Sequence, residues 1–380
     1  MSWKKGSSVQ QAETLFSTYI GGAPVITYDS GRTALQQALL ALGVGEGDEV
    51  LVQAFTCVVV INAIRWTGAT PVYVDIEKHT LNIDPTDARK KVTSNTKALI
   101  VQHTFGLPAD IDALLSLAKE YDIRTIEDCA HSLGARYKGK LTGTFADIGM
   151  YSFGGEKNIS CVRGGALIAK DEDIRSSLQN AHSRLPTMKR FTIFQHLFHV
   201  ILFPLGKKWY HVGIGKVLLK VAKELHLTNK IITTKEKQGI QAGLQSSKLP
   251  NALAALLVSQ IATIDDFNTH RRRIAHIYMN ALKESSIALQ DEEKGRVYLR
   301  FPIFVNDQSH VMKHAKNSGV LLGNWYTTVI APGDCSMVHT GYASGACPNA
   351  EEQARHVVNL PTNIHISEED AQTIVQLITE

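Results

Sequence analysis

The sequence predicts an α/β protein: a large domain built on a mostly parallel sheet covered by helices, followed by a smaller α+β C-terminal domain. Two observations carry this expectation. Between residues 25 and 170 short β-type runs alternate with helical patterns, and the runs are continuously apolar, as strands buried on both faces must be. At 380 residues the chain exceeds what a single core usually organises, so two domains are expected, 1–265 and 266–380.

The elements follow in order. Asp29-Ser30-Gly31-Arg32-Thr33 precedes a helix marked by Leu35, Leu39 and Leu42. Glu49-Val50-Leu51-Val52 is a strand, 56–67 a helix, and Thr70 to Asp75 the next strand. A helix at 84–93 leads to the strand Ala98-Leu99-Ile100-Val101. Ile111, Leu114, Leu115 and Ala118 have helical spacing within Asp110 to Tyr121, and Ile123 to Ile126 is a strand. Ile148 to Phe153 and Gly165 to Ala169 complete the set. Beyond residue 250 the pattern predicts one long helix from Ala252 to Tyr278, a strand from Val297 to Phe304, a helix near 308–318, and a strand at Gly319-Val320-Leu321-Leu322. A last helix spans 367–379, with Ser367 as its N-cap.

Residues 185–235 break this rhythm. Phe191 to Leu205 is strongly apolar, Lys207, Lys208, Trp209 and Tyr210 follow, and a basic amphipathic stretch carries Ile214, Val217, Leu218, Val221 and Leu225 among Lys216, Lys220 and Lys223. The apolar run is too short and interrupted to span a bilayer. It reads as a helical hairpin, either buried in a subunit interface or making peripheral contact with a membrane through 190–226.

Composition narrows the class. With 44% apolar and 20% charged residues the chain is globular rather than disordered, and a net charge of +4 gives no argument for nucleic acid. Five cysteines (Cys57, Cys129, Cys161, Cys335, Cys347) are scattered with no C-x-x-C spacing, which implies neither a disulfide framework nor a zinc site. That usage favours a reducing, cytoplasmic setting. The N-terminus is basic at Lys4 and Lys5 but shows no apolar core of a secretory signal.

Ligands of open parallel sheets bind beyond the carboxyl ends of the strands, where Asp128 and Lys157 both fall. Such a pair is what pyridoxal phosphate (PLP) chemistry needs. A lysine amine forms a Schiff base with the cofactor aldehyde, while a carboxylate keeps the pyridine nitrogen protonated. The loop-to-helix junction Ser30-Gly31-Arg32-Thr33 suits a phosphate, because backbone N–H groups at the positive helix end can cradle an anion and Arg32 adds charge. Each residue alone has a bland alternative: an ordinary N-cap, a surface carboxylate, a solvated lysine, or a core histidine at His131. His103 also lies past a strand end, but no metal-ligand partner stands at a fitting spacing, so a structural or substrate-side role is preferred. Cys129 and Cys161 are read as packing residues.

Several stretches at fixed spacings resemble one family. They include Ser30-Gly31-Arg32-Thr33-Ala34-Leu35, Gly47-Asp48-Glu49-Val50, Leu81-Asn82-Ile83-Asp84, His103-Thr104-Phe105-Gly106, Glu127-Asp128-Cys129-Ala130-His131, Ser152-Phe153, Lys157-Asn158 and Asn359-Leu360-Pro361. The chain resembles the DegT/DnrJ/StrS family of PLP-dependent sugar aminotransferases throughout, except near 185–235. The resemblance implies the fold type I architecture of PLP-dependent transferases, as in aspartate aminotransferase, and a homodimer with active sites at the subunit boundary. It implies transfer of an amino group, from glutamate, to a keto-sugar linked to a nucleotide, in two half-reactions for cell-envelope polysaccharide biosynthesis. Lys157 would carry the Schiff base and shuttle the proton, Asp128 would face the pyridinium, and His131 would lie against the ring. Ser152 and the backbone of Gly31, Arg32 and Thr33, next to Ser30, would hold the phosphate.

Three departures stand out. Cys57 occupies a position where relatives stack an aromatic on the ring, Arg32 replaces a small threonine, and Ser246-Ser247-Lys248 replaces a run that reaches the neighbouring subunit. The readings left open are a PLP-dependent sugar dehydratase, disfavoured because the lysine is kept, and a non-catalytic PLP-binding regulator or scaffold.

Overall fold

The computed structural model describes residues 3–209, 213–224, 227, 232–241, 246–290 and 295–379. Tyr210 and Leu225, named in the reading of the hairpin, lie outside the described residues. The large sheet has seven strands: β1 (Val25–Tyr28), β2 (Glu49–Gln53), β3 (Thr70–Val74), β4 (Thr96–Gln102), β5 (Arg124–Asp128), β6 (Ile148–Ser152) and β7 (Gly165–Ala169). Their spatial order is β1-β7-β6-β5-β4-β2-β3. The pairs from β3 across to β6 are parallel, and β7 runs antiparallel to both β6 and β1. The sheet is therefore mostly parallel, as expected.

Its strands are apolar throughout because successive residues face two different cores. Val50, Val52, Ala98 and Ile100 pack with the helix Gly31–Ala41 through Leu35 and Leu39. Their neighbours Leu51, Leu99 and Val101 pack on the opposite side with Leu114 and Leu117 of the helix Ile111–Glu120. Near β6 and β7 that second side is covered by Phe16 of an N-terminal helix, Ser8–Tyr19, and by Leu253 and Leu257. Neither Ser8–Tyr19 nor β1 is among the elements expected from the sequence.

The C-terminal part holds a three-stranded antiparallel sheet of Ala288–Leu289, Phe301–Phe304 and Val357–Leu360. Tyr278 and Leu282 on one helix and Ile374 and Ile378 on another pack against Phe301, Ile303 and Val358. Ser367 caps the last helix, Glu368–Thr379, by accepting the Asp370 N–H at 3.0 Å, while Asp370 accepts the Ser367 N–H at 2.9 Å.

Three expectations in this region are corrected. The long helix is two, Asn251–Ile261 and Ile264–Leu282. Thr263 turns back so that its N–H and hydroxyl both reach the Gln260 carbonyl, at 3.0 and 2.8 Å, and Asp265 and Asp266 then favour a new helix start. Gly319 to Leu322 forms no strand, because the Gly319 and Val320 N–H groups close the preceding helix on Lys316 and Ala315. The strand at 297–304 begins only at Phe301, since the Val297 and Leu299 N–H groups bind the Gly106 and Phe105 carbonyls instead. Gly106 has φ +93°, and a Cβ there would lie 1.8 Å from the Val297 oxygen, so only glycine allows this docking.

The hairpin consists of the helices Arg190–Lys208 and Ile214–Glu224 packed on each other. Among the described residues no helix is long and apolar enough to cross a membrane.

Candidate active site

A cavity of about 400 Å³ opens at the carboxyl ends of the central strands, within the range of small-molecule sites. Ser30, Gly31, Arg32, Cys57, Asp128, His131, Ser152 and Lys157 all line it. Thr33 stands one step behind, donating its N–H to the Ser30 hydroxyl at 3.2 Å. That bond caps the helix Gly31–Ala41, whose first turn faces the cavity. Gly31 is required here: a Cβ would come 2.8 Å from both Cβ and Oγ of Ser152. An open helix N-terminus with two hydroxyls beside it fits a phosphate.

Asp128 ends β5 and accepts the Ala130 N–H at 2.9 Å. Burial raises its pKa, with the Ala130 hydrogen bond and the Lys157 charge opposing. Burial lowers that of Lys157, and the Asp128 charge opposes it. A buried carboxylate and a half-buried lysine of softened basicity thus share one cavity.

His131 is neutral, because burial and then the charges of Lys157 and Arg300 drive its pKa well below the ordinary value. Its Nδ1 accepts the Phe105 N–H at 3.4 Å, and Nε2 faces the Tyr326 hydroxyl at 3.5 Å. The ring lies 5.9 Å from Phe105 and 5.6 Å from Trp325 in stacked arrangements. The unfolded chain binds a proton here near pH 6.5 and the folded chain does not, so stability falls on acidification below that value. His131→Gln is therefore expected to melt with a shallower pH dependence than the wild type between about pH 6.5 and 5, a difference read by thermal scans.

The floor of the site rests on Glu127, which is fully buried. Its two oxygens accept N–H groups from Gly143, Phe145 and Ala146 at 2.7, 2.6 and 3.0 Å. His103 Nε2 adds a contact at 3.1 Å, donating because His103 Nδ1 already accepts the Ala109 N–H. Burial alone would raise the Glu127 carboxyl, but these hydrogen bonds and the His103 interaction outweigh it and hold it below its ordinary value. The missing partner of His103 is thus Glu127. His103, Glu127 and Cys129 cluster closely enough to hold a metal ion, but the histidine and carboxylate are already engaged with backbone groups, which supports the structural role.

Other lining groups gave no sequence signal. Trp325 lies with its ring 4.9 Å from Lys157 Nζ and 5.1 Å from the Arg300 guanidinium, which also pairs with Glu156 at 2.9 Å. Trp325 and Tyr326 reach the cavity just ahead of Ile330–Ala331, which pairs in parallel with Thr56–Cys57. Arg32 forms an ion pair with the fully buried Glu236, from the segment after the hairpin. Glu236 also closes a capping box with Thr233. Arg163, His196 and His199 complete the wall, and burial and then the Arg163 charge lower the His196 pKa to about 4. Ser246 to Lys248 packs within its own chain, where the Ser247 carbonyl accepts the Asp29 N–H at 3.1 Å.

Comparison with known proteins gives this geometry its context. The sequence profile of the DegT/DnrJ/EryC1/StrS aminotransferase family matches residues 1–202 and 219–379. The chain belongs to that family. This aminotransferase is 31% identical over 290 residues, covering 76% of its own length and 67% of the relative's, to the GDP-perosamine synthase of Escherichia coli O157:H7. It is 27% identical over 381 residues, 99% of its length and 87% of the other's, to dTDP-3-amino-3,4,6-trideoxy-alpha-D-glucose transaminase of Streptomyces venezuelae. Among solved structures, S. venezuelae DesV in complex with a ketimine intermediate superposes with a TM-score of 0.78 at 26% identity, covering all of this chain and 90% of that one. The family's cofactor is PLP, and the fold is fold type I.

Proposed function

We propose that this aminotransferase moves an amino group from an amino acid donor, glutamate, to the keto group of a nucleotide-linked sugar in two half-reactions. One observation carries the reading: Lys157, Asp128 and the Ser30–Gly31–Ser152 cradle share a single cavity. Bound PLP supplies the aldehyde that accepts an amine and the ring that stores the electron pair of a broken C–H bond. In this reading the residues divide the remaining tasks. The Lys157 amine, weakened as a base by burial, would act as nucleophile and hold a transferring proton on Nζ. Asp128 would serve as anionic partner of the ring nitrogen. His131 would offer the ring a flat neutral surface, and Cys57 lines the same cavity without supplying an aromatic face. Ser30, Gly31, Thr33 and Ser152 would hold the phosphate. Arg32 contributes backbone there, its guanidinium being paired with Glu236.

We read residues 1–265 as the large domain and 266–380 as the small one, with the enzyme a cytoplasmic homodimer. Support for the division is the separate apolar cluster formed by Ile274, Tyr278, Phe301 and Ile374.

The test is spectrophotometric. Adding glutamate to the PLP form should convert the lysine-bound absorbance to that of the amine form, and a suitable keto-sugar nucleotide should restore it. A chromophore inert to every amino donor would support the regulator reading instead.

A further inference from the structure

The hairpin has two faces, and only one belongs to the active site. On the helix Arg190–Lys208, His196 and His199 line the cavity and Ile193 is buried beside them. At roughly 100° per residue, Phe191, Ile201 and Leu205 come out on the side opposite His196. They are exposed, Ile201 by 62%. The second helix repeats the arrangement. Gly215 and Ala222 are buried, Val217, Leu218 and Val221 form an exposed apolar stripe, and Lys216 and Lys220 stand exposed beside it. Trp209, half exposed, closes the first helix.

Charge decides what this face meets. From 190 to 226 the sequence carries Arg190, Lys207, Lys208, Lys216, Lys220 and Lys223 against a single acid, Glu224, and Glu224 is 4.0 Å from Lys220. A second copy of the same face would bring the exposed Lys216 and Lys220 against their own counterparts. An anionic lipid surface would accept the apolar stripe and neutralise its basic border, with Trp209 suited to the headgroup level. No described helix can span a bilayer, and Pro204 interrupts the first. The segment therefore lies on the surface.

We propose that the hairpin is an anionic-lipid docking surface, placing one wall of the active-site cavity against the membrane. The proposal builds on the aminotransferase reading only in naming the cavity; the docking itself stands apart from it. The family profile passes over residues 203–218, which include Leu205, Trp209, Lys216, Val217 and Leu218 of this surface.

The test uses the full-length holoenzyme and vesicles of phosphatidylcholine, with or without about one-third phosphatidylglycerol. Wild type is expected to sediment with the anionic vesicles and not with the neutral ones, with a blue shift of tryptophan fluorescence that Trp209→Phe removes. Val217→Asp with Val221→Asp, and separately Lys216→Glu with Lys220→Glu, should each reduce partitioning at least roughly tenfold. Both pairs are exposed, so oligomer mass by light scattering and the glutamate half-reaction should be unchanged. Absent vesicle binding, or equal binding by wild type and variants, overturns the proposal. So does a fall in oligomer mass in the variants, which would assign the face to a second copy. Vesicle binding by a protein inert to glutamate would retain the docking surface and remove the activity.

Discussion

Replacing Lys157 with alanine is expected to remove the absorbance of covalently held cofactor and to lower turnover on the order of 10⁴-fold or more. The amine serves twice in the proposed reaction, as the covalent anchor and as the group that moves a proton, so no neighbour replaces it. Cys57 cannot: burial raises its thiol pKa, and the Lys157 charge that opposes this shift would be gone. His131 is already engaged at both ring nitrogens. Ser30, Gly31 and Ser152 remain, so the cofactor should still bind, reversibly and more weakly. Absorbance titration with PLP and single-turnover kinetics with glutamate read the two effects separately. A variant that kept the covalent band and the turnover would remove Lys157 from its assigned place.

Glu127→Gln should be the most damaging change that touches no cavity-lining residue. The carboxylate spreads four contacts over two oxygens. An amide NH2 would have to face donors on one side whichever way it turned, leaving buried N–H groups without acceptors. The expected cost is about 3–5 kcal/mol, which for a chain of this size lowers the melting temperature by roughly 4–6 °C. The pH dependence has a defined sign. The folded carboxyl lies below its unfolded value, so its stabilisation is complete above about pH 4.3 and is lost as pH falls through the folded value. Wild type and variant should therefore differ most near neutrality and converge in acid. Melts that differ equally at pH 7 and in acid would show that Glu127 contributes through shape rather than charge.

The sequence exposed those parts of the site that depend on strand ends. Asp128 closes β5 and Ser152 closes β6, and strand ends are legible wherever an apolar run meets polar residues; Ser30 was legible instead as the junction before the helix Gly31–Ala41. Lys157 followed from the same logic. What was not legible arrives from far along the chain. Trp325 and Tyr326 sit in a stretch with no clear period and are delivered by a two-residue parallel pairing to Thr56–Cys57. Glu236 lies 204 positions along the chain from Arg32, and nothing in its lysine-rich local sequence points to a buried partner. His196 was hidden inside an apolar run whose two faces the fold uses for different purposes. The errors in the C-terminal part share a cause as well. Val297, Leu299 and Val320 have strand-like side chains, but tertiary contacts or the end of a helix had claimed their N–H groups.

The Arg32–Glu236 bond limits how this enzyme can be shortened. Excising the hairpin and rejoining the chain downstream of Glu236 would take away the acid paired with a buried guanidinium, a penalty of about 3–5 kcal/mol located beside the phosphate cradle. A graft that rejoins upstream of Thr233 keeps both the acid and its capping box in place, so the two hairpin helices form a removable module only up to that threonine.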